Sequence, residues 1–493
     1  MPQVTRSSYR LTFGVLAAST AAFSMLQSLV SPVLPVIQRD LHTSAGTVTW
    51  VLTAWLLAAS VATPLMGRVG DMIGKERTLL AALAAIAVGC LLAALAPNIA
   101  VLIVARVVQG LGGALFPLSF GIIRDEFPPG RVVSAVGAMS AVIALGGGTG
   151  IVLAGPIVAA LNWRWLFWIP LGVVTVTGLL AWRFVPPSPV RSAGRVNWLA
   201  AALLSGWLVA LLLPLSKGNT WGWASPPTVG LLALAAALLA AWVAVEIRSG
   251  NPLIDMRMMR LPTVWTTNVV ALLFGAGMFG VYAFLPQFMQ IPRAAGYGFG
   301  SSVGEAGLLM VPMLATMAVT GMLSGPLSGR FSSRAQVVAG ALLATAASAA
   351  FAFAHSSRWE VATAAAVFGV GIGLAYASMT SLIVHSVPMA QTGAASGMNA
   401  NIRTIGASIG TALVSSIVTS GLRPDGLPTE SAFTAAFAAL GAAAALAVAV
   451  ALLIPRHRTA PATTTATPDA QGEPLVAPRA VQPAGPVVTR SVP

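Results

Sequence analysis

The chain has little charge and almost no cysteine. Of its 493 residues, 8% are Asp, Glu, Lys or Arg and 57% are hydrophobic, whereas about 25% of residues are charged in soluble domains. A chain this poor in charge cannot cover a water-facing surface, but it suits lipid, where the outside of a protein is as apolar as its core. The single cysteine, Cys90, lies in an apolar stretch, which excludes an intrachain disulfide and a cysteine-based metal site.

The charge that is present is mostly basic. The chain has 27 Lys and Arg against 13 Asp and Glu, a formal net charge of +14. In nucleic-acid-binding proteins such residues cluster on one face or along one helix, but here they fall one to three at a time between apolar stretches. This spacing is typical of the charges that orient a membrane protein, and we expect no nucleic-acid partner.

The apolar stretches have the length of membrane-spanning helices, which need about 20 residues each. The first stretch, 11–37, is too long for the apolar region of a secretory signal and is predicted to be the first span. We predict an all-α membrane protein with fourteen transmembrane helices, at 12–36, 47–66, 78–97, 99–123, 132–157, 163–183, 197–215, 227–246, 263–290, 304–325, 337–354, 360–384, 394–420 and 431–454.

The positions of the basic residues predict the orientation. With the N-terminus in the cytoplasm, inner segments hold 19 of the 27 basic residues and outer segments hold 6, while Arg106 and Arg403 fall inside spans. Inner loops of membrane proteins carry this excess. The sequence therefore predicts a multi-pass protein of the cell (plasma) membrane with both termini cytoplasmic. Residues 455–493, rich in Pro, Ala and Thr, are predicted to be a disordered cytoplasmic tail.

Arg106 is the first ionisable side chain at membrane depth, where charge is costly and usually functional. It shares a helical face with Gln109 and Gly113, and Gly110 and Gly113 let a neighbouring helix come close. We expect Arg106 to organise a polar cavity or to bind an anionic group. The alternative is an arginine near a helix end whose charged head reaches the membrane surface.

Arg403 is the second such residue, and Asn399 and Asn401 precede it within five positions. Three polar residues so close together are unusual for a lipid-facing helix. One interpretation places all three in a substrate or coupling cavity. The other is a helix that starts late and leaves Arg403 at the cytoplasmic interface.

The segment between the second and third spans has a regular pattern of glycine and charge: Gly67, Asp71, Gly74, Lys75 and Arg77. We interpret it as a tight turn, because glycine permits positive φ and close backbone approach. Asp71 is expected to cap a helix start or to pair with a base from another bundle, and so to hold an inner gate. The alternative is a loop that is merely short and charged.

These two segments resemble motifs of the major facilitator superfamily. The first is similar to its Gly-x-x-x-Asp-x-x-Gly-x-base motif after the second helix, and Arg106-x-x-Gln109-Gly110 is similar to its fourth-helix motif. Fourteen spans resemble its fourteen-helix drug:proton antiporter branch. The resemblance implies two six-helix bundles, 1–196 and 263–454, joined by two additional helices at 197–262. It also implies alternating access, with Asp71 at the inner gate and Arg106 near the coupling site.

The chain departs from that branch in two places. The position of the branch's first-helix acid falls on Leu26, followed by Gln27, and neither side chain titrates. None of the thirteen acids lies clearly at mid-membrane, so proton coupling rests on the resemblance alone. In the fifth span, Gly146, Gly150, Gly155 and Pro156 predict a pliable, closely packed helix, although the proline is displaced by about five residues from the branch's pattern.

The expected function is secondary active export of small organic molecules, by a protein that is expected to act as a monomer in the lipid bilayer. Gln27 and Trp55 are expected to lie deep in the cavity, and the scarcity of acids favours neutral, anionic or amphipathic substrates over multivalent cations. An uptake permease or uniporter of the same fold is the alternative, and a channel or membrane receptor is the alternative of another class. An enzyme is not expected, since the sequence has no P-loop and no cluster with catalytic or metal-ligand spacing, and so no cofactor is expected.

Overall fold

The computed structural model describes residues 8–48, 50–188, 197–250, 252–421, 423 and 427–455. The predicted tail from residue 456 onward lies outside the described residues. Within them, fourteen helices are long and apolar enough to cross a membrane, which confirms the predicted number. We label them α1 Ser8–Leu29, α2 Trp50–Ile73, α3 Lys75–Ala94, α4 Ile99–Glu126, α5 Pro129–Ala160, α6 Trp165–Phe184, α7 Trp198–Trp221, α8 Pro226–Arg248, α9 Pro262–Gln290, α10 Val303–Leu327, α11 Ser333–Phe353, α12 Arg358–Ser386, α13 Thr392–Ser420 and α14 Glu430–Ala451.

Two helix ends differ from the prediction. Helix α1 stops at Leu29 rather than 36, and the chain continues as the 3-10 helix Ser31–Val33 and the short helix Leu34–Asp40. Two prolines follow each other closely there, and each lacks the backbone N–H that a continuing helix needs. Helix α2 runs to Ile73, seven residues beyond its predicted end. Most of the segment that was expected to form a glycine turn is therefore the last part of this helix. Only Gly74 breaks it, with a φ of 118° that favours glycine.

The buried hydrophobic residues form three clusters. The first joins α1 to α6, and the second joins α9 to α14. The third joins the hairpin of α7 and α8 to α2, α9 and α13. The two additional helices therefore pack beside the line where the two sets of six helices meet. The domain limits at 196, 262 and 454 stay a prediction.

The contacts between the two sets of helices are close because small residues face each other. A Cβ added to Gly137 of α5 would lie 2.9 Å from the carbonyl oxygen of Gly321 in α10, and one added to Gly321 would lie 3.0 Å from the Cβ of Ala141. In lipid, such small-residue faces let helix backbones approach. A second contact of this type joins α2 to α13 and belongs to the site described below.

A polar contact outside the spans ties the connection after α1 to the start of α6. Asp40 accepts hydrogen bonds from the indole Nε1 of Trp163 at 2.6 Å and from Nη1 of Arg164 at 3.1 Å. The bond from Trp163, followed by the Arg164 guanidinium, holds the pKa of Asp40 below its usual value. Because the carboxylate is half exposed, solvent screens this pair.

Candidate functional site: a central cavity above a closed gate

A cavity of about 390 Å³ lies between the two sets of helices. Its walls come from α1, α2, α4 and α5 on one side and from α9, α12 and α13 on the other, with Ser216 of α7 at the edge. The polar lining residues are Ser24, Gln27, Ser28, Ser31, Thr53, Ser60, Thr63, Ser216, Tyr282, Tyr376, Arg403, Thr404 and Thr411. Among the described lining residues none is Asp, Glu, His or Lys, so Arg403 supplies the charge of this site.

Aromatic side chains make much of the remaining surface on both sides. Phe23 packs against Trp55 with ring centroids 5.6 Å apart and against Phe116 at 5.4 Å. On the opposite side, Phe279 and Tyr282 have centroids 6.1 Å apart. Rings of this kind offer a large, rigid contact area to a flat apolar ligand.

Arg403 lies in the middle of α13, eleven positions after the helix begins at Thr392, and is 6% exposed. The interpretation that placed it at the end of a late-starting helix is therefore wrong. Its guanidinium lies over the ring of Tyr376, 4.0 Å from the centroid. Its Nη1 donates to Oδ1 of Asn399 at 3.4 Å, and Asn399 in turn donates to Oδ1 of Asn268 in α9 at 2.8 Å. These neighbours are uncharged.

Arg106 is fully buried and does not line the cavity; it lies behind Trp55, which does. Its Nε donates to the carbonyl of Val51 at 3.1 Å and its Nη1 to Oε1 of Gln109 at 2.8 Å, while the guanidinium lies 5.3 Å from the Trp55 ring. Its Nη2 has no hydrogen-bond partner among the described residues. The expected direct contact with an anionic group is therefore not what this conformation shows. Arg106 instead fixes the wall from behind.

Gln109, Asn399 and Asn401 also lie outside the lining, although they were predicted for the cavity. Gln109 donates to Sγ of Cys90 at 3.5 Å, and so belongs to the buried packing around Arg106. Asn401 is 1% exposed, and neither atom of its amide group has a partner in the described part of the chain. Asn399 lies one helical turn before Arg403 and is held beside the cavity, since it accepts from Arg403 and donates to Asn268 of α9.

The predicted gate residues lie where the end of α2 meets the start of α13, and we keep the word gate for this contact. The two carboxylate oxygens of Asp71 accept hydrogen bonds from the backbone N–H groups of Gly393 at 3.2 Å and Ala394 at 3.0 Å. The first N–H groups of a helix have no partner within it and carry a partial positive charge. Asp71, which is 1% exposed, therefore caps a helix that begins more than 300 residues later.

A second carboxylate, that of Asp125, also lies close to the charged groups of the gate. Lys75 is fully buried, with its Nζ 2.6 Å from Asp125 and 3.9 Å from Asp71. Arg124, the neighbour of Asp125 in α4, donates from Nη1 to Oγ1 of Thr392 at 2.7 Å. These bonds join α2, α3, α4 and α13 at one end of the protein. Arg77, predicted for the same gate, is exposed instead.

Glycines let the two gate helices touch. A Cβ added to Gly67 would lie 2.7 Å from the carbonyl oxygen of Gly393, and one added to Gly393 would lie 2.7 Å from that of Gly67. One turn further, a Cβ on Gly397 would lie 3.0 Å from the carbonyl oxygen of Thr63. Thr63 and Asp71 are eight positions apart, about 12 Å along a helix, and the contacts with α13 continue over this length beyond the lining residue Thr63. The cavity extends the other way, to Ser31 beyond the far end of α1.

Four of the predicted packing positions are close contacts. A Cβ on Gly110 would lie 2.9 Å from the backbone nitrogen of Ala59, and one on Gly113 would lie 3.0 Å from its carbonyl oxygen. A Cβ on Gly146 would lie 2.8 Å from the carbonyl oxygen of Ala21, and a Cβ on Gly150 would lie 2.6 Å from the carbonyl oxygen of Met25.

The remaining two positions in α5 do not pack. A Cβ on Gly155 would meet nothing within 4 Å, and both Gly155 and Pro156 are exposed. The prediction of close packing there is wrong, because Gly155 lies on a different face of α5 from Gly146, Gly150 and the buried Ala154. The helix continues through Pro156 to Ala160.

Sequence reasoning missed part of the site. In the first span, Gln27 and Ser28 lie three and four residues after Ser24, and this polar helical face could have predicted that the two serines line the cavity with Gln27. Tyr282 and Tyr376 are two of only four tyrosines in the chain, and both line the cavity. Gly393 carried no signal, since its role depends on a partner in a distant helix. Within the described residues no three His, Cys, Asp or Glu side chains are grouped as they would be to hold a metal ion.

Comparison with known proteins agrees with this architecture. A protein 29% identical over 425 residues, covering 83% of this chain and 76% of its own length, is the tetracenomycin C resistance and export protein of Streptomyces glaucescens. The multidrug transporter protein MdtP of Bacillus subtilis is 27% identical over 436 residues, covering 84% of this chain and 78% of its own length. The solved structure of the human organic anion transporter MFSD10 has the same fold, with a TM-score of 0.65 at 15% identity over 90% of this chain and 100% of the other.

The family model that matches this chain is described as the Major Facilitator Superfamily, and it matches residues 16–411 and 268–491. Members of this family are transporters and not enzymes. The chain is therefore a multi-pass membrane protein and a secondary transporter that belongs to the Major Facilitator Superfamily.

Proposed function

We propose that this transporter exports small organic molecules by alternating access. It would act as a monomer in the plasma membrane, with both termini in the cytoplasm and the gate of α2 and α13 on the cytoplasmic side. The observation that carries the proposal is the aromatic cavity sealed at one end by that gate. The names of the bacterial relatives, one a resistance and export protein and the other a multidrug transporter, support the direction.

Alternating access requires that the gate be strong enough to close and weak enough to open. The α2–α13 contact meets both needs. Two backbone N–H groups of α13 donate to a carboxylate of α2, and water can replace these bonds when the helices separate; the close packing at Gly67 and Gly393 brings backbone against backbone. A hydrophobic seal of large side chains would lose much more contact area on opening.

Accumulation in inside-out vesicles tests the direction. A panel of amphipathic fluorescent dyes is added outside energised vesicles that contain the wild-type protein or the variant Asp71→Asn. Export from the cell corresponds to dye uptake into the vesicle lumen. Wild-type uptake above that of empty vesicles, with reduced uptake in Asp71→Asn at equal protein level, supports the proposal. Dye release from preloaded vesicles, without uptake, would support the permease alternative.

Proton coupling, which the resemblance to drug:proton antiporters implies, needs a carboxylate or imidazole that each side reaches in turn. No such group is among the described lining residues, so the carrier would be a buried carboxylate of the gate, Asp71 or Asp125. We propose coupling through this pair. Adding a protonophore to the same vesicles, with the membrane potential fixed by potassium and valinomycin, measures it: uptake that collapses supports coupling, and uptake that persists excludes it.

A further inference from the structure

We propose that the cavity binds aromatic organic monoanions, and that Arg403 is the residue that pairs with their negative charge. This inference rests on the proposed function, because it names the substrate class of the same cavity. It starts from a charge that the described residues leave unbalanced.

Arg403 is an arginine at membrane depth without a carboxylate partner. No Asp or Glu oxygen among the described residues lies within 4.0 Å of its guanidinium, whereas the buried Lys75 has two acids in that range. Burying a charge is unfavourable unless it is paired, and intramembrane charges normally pair with one another. A ligand carboxylate, sulfonate or phenolate would supply the missing partner.

The surroundings of Arg403 orient it for that role. Tyr376 lies under one face of the guanidinium at 4.0 Å and Asn399 accepts from Nη1, which leaves its other N–H groups available. Arginine presents several donors in a fixed plane, a geometry that matches the two oxygens of a carboxylate. Because Arg403 lines the cavity, those donors are accessible to a ligand there.

The rest of the cavity selects the body of the ligand. Phe23, Trp55 and Phe116 line one side, and Phe279 and Tyr282 line the other. A flat aromatic skeleton can stack between these walls while its charge reaches Arg403. Without a lining acid among the described residues, an organic cation finds no opposite charge and meets the repulsion of Arg403.

This assignment has an electrical consequence. Arginine stays charged at physiological pH, so the empty site carries one positive charge and the loaded site is neutral. Export of one anion then moves one negative charge outward, in addition to the charge of a proton that the proposed coupling would move inward. A membrane potential of 100 mV acting on one charge supports a gradient of about 50-fold. Export of the anion would therefore increase with an inside-negative potential in the cell.

Three ligands of equal shape test the charge preference. They are naphthalene-2-sulfonate, its neutral analogue 2-(methylsulfonyl)naphthalene, and the cation 2-naphthyltrimethylammonium. Binding to the purified full-length protein is measured by titration calorimetry. We expect the anion to bind at least tenfold more tightly than the other two. Equal or tighter binding of the cation would overturn the proposal.

Variants then assign the preference to one residue. Arg403→Gln should weaken anion binding about 30-fold or more, as truncation of one partner of a buried charge pair does, while binding of the neutral analogue changes less than threefold. Arg403→Lys should restore part of the anion affinity, because it restores the charge. A matched control, Arg334→Gln, removes an exposed arginine that donates to Leu452 and should leave all three affinities unchanged. An equal loss for all ligands in Arg403→Gln would mean that Arg403 only maintains the fold, and would refute the assignment.

Transport of the same ligands separates this inference from the proposed function. Inside-out vesicles with a lumen-positive potential, imposed by potassium and valinomycin, should accumulate the anion, and reversal of the potential should abolish that accumulation. Uptake of the cation or the neutral analogue without the anion would leave the exporter assignment standing and overturn the substrate class. Arg403-dependent anion binding without uptake of any ligand would leave the binding preference standing and overturn the exporter assignment.

Discussion

Replacing Asp71 by asparagine should open the gate. The aspartate accepts from the N–H groups of Gly393 and Ala394, and hydrogen bonds to a charged group contribute about 1.5–3 kcal/mol each. Asparagine keeps one acceptor oxygen and one neutral bond of about 1 kcal/mol, and it loses the attraction to the positive start of α13. The closed state should therefore lose about 2–5 kcal/mol, which shifts the ratio of closed to open protein by about 30- to 4,000-fold.

Cysteine labelling can measure this shift directly. The only native cysteine, Cys90, is fully buried, so the chain is already a suitable background. A single cysteine placed at Thr404, which lines the cavity, reports whether a membrane-impermeant maleimide can reach it from either side. From the gate side, which inside-out vesicles expose if the proposed orientation is correct, labelling should be slow in the parent and much faster with Asp71→Asn.

The control is Glu76→Gln, which removes an equal charge from the first turn of α3. It should leave the labelling rate unchanged. The measurement is repeated in right-side-out vesicles, so that an inverted protein is recognised. If Asp71→Asn labels at the parent rate from both sides, then its bonds to α13 do not hold the gate closed, and the reasoning is wrong.

Three further changes have expected outcomes. Gly67→Ala would place a methyl group 2.7 Å from the carbonyl oxygen of Gly393, so it should raise gate-side labelling, whereas Gly155→Ala, with open space around it, should not change it. Arg106→Lys should lower dye transport at least tenfold, because one ammonium group cannot make the two separate bonds of the guanidinium; transport at the wild-type rate would contradict its placement behind the cavity wall. The pKa of Asp40 is lowered from its usual value of 3.8, so the carboxylate's contribution to stability is complete above that value and is lost only as the pH falls through the lower folded value. The melting temperatures of wild type and Asp40→Asn should therefore differ by a constant amount between pH 5 and 8.

The sequence was sufficient to predict the spans, because the membrane imposes its requirement on each helix separately. Every backbone group in lipid must be bonded within its own helix, so about 20 apolar residues identify a span wherever it packs. The same local reasoning found Asp71 and Arg403, since charged or capping residues stand out in an apolar chain. Helix ends were less well predicted, and α2 continued through the glycines that suggested a turn.

Tertiary structure decided what those residues contact. Arg106 and Arg403 are both arginines in spans, yet one is enclosed behind Trp55 and the other faces the cavity, and only the packing of neighbouring helices separates the two cases. Gly146 packs while Gly155 does not, since the two lie on different faces of α5.

The gate shows most clearly which features the sequence determines and which depend on the tertiary structure. The sequence by itself determined that an aspartate beside glycine follows the second apolar segment, and that fourteen apolar segments must cross the membrane as helices. It did not determine that Asp71 would cap α13, because Gly393 offers a backbone N–H that any residue has and lies 322 positions away. Such a contact depends on how the two sets of helices meet, and that is fixed by the fit of whole surfaces rather than by any local pattern.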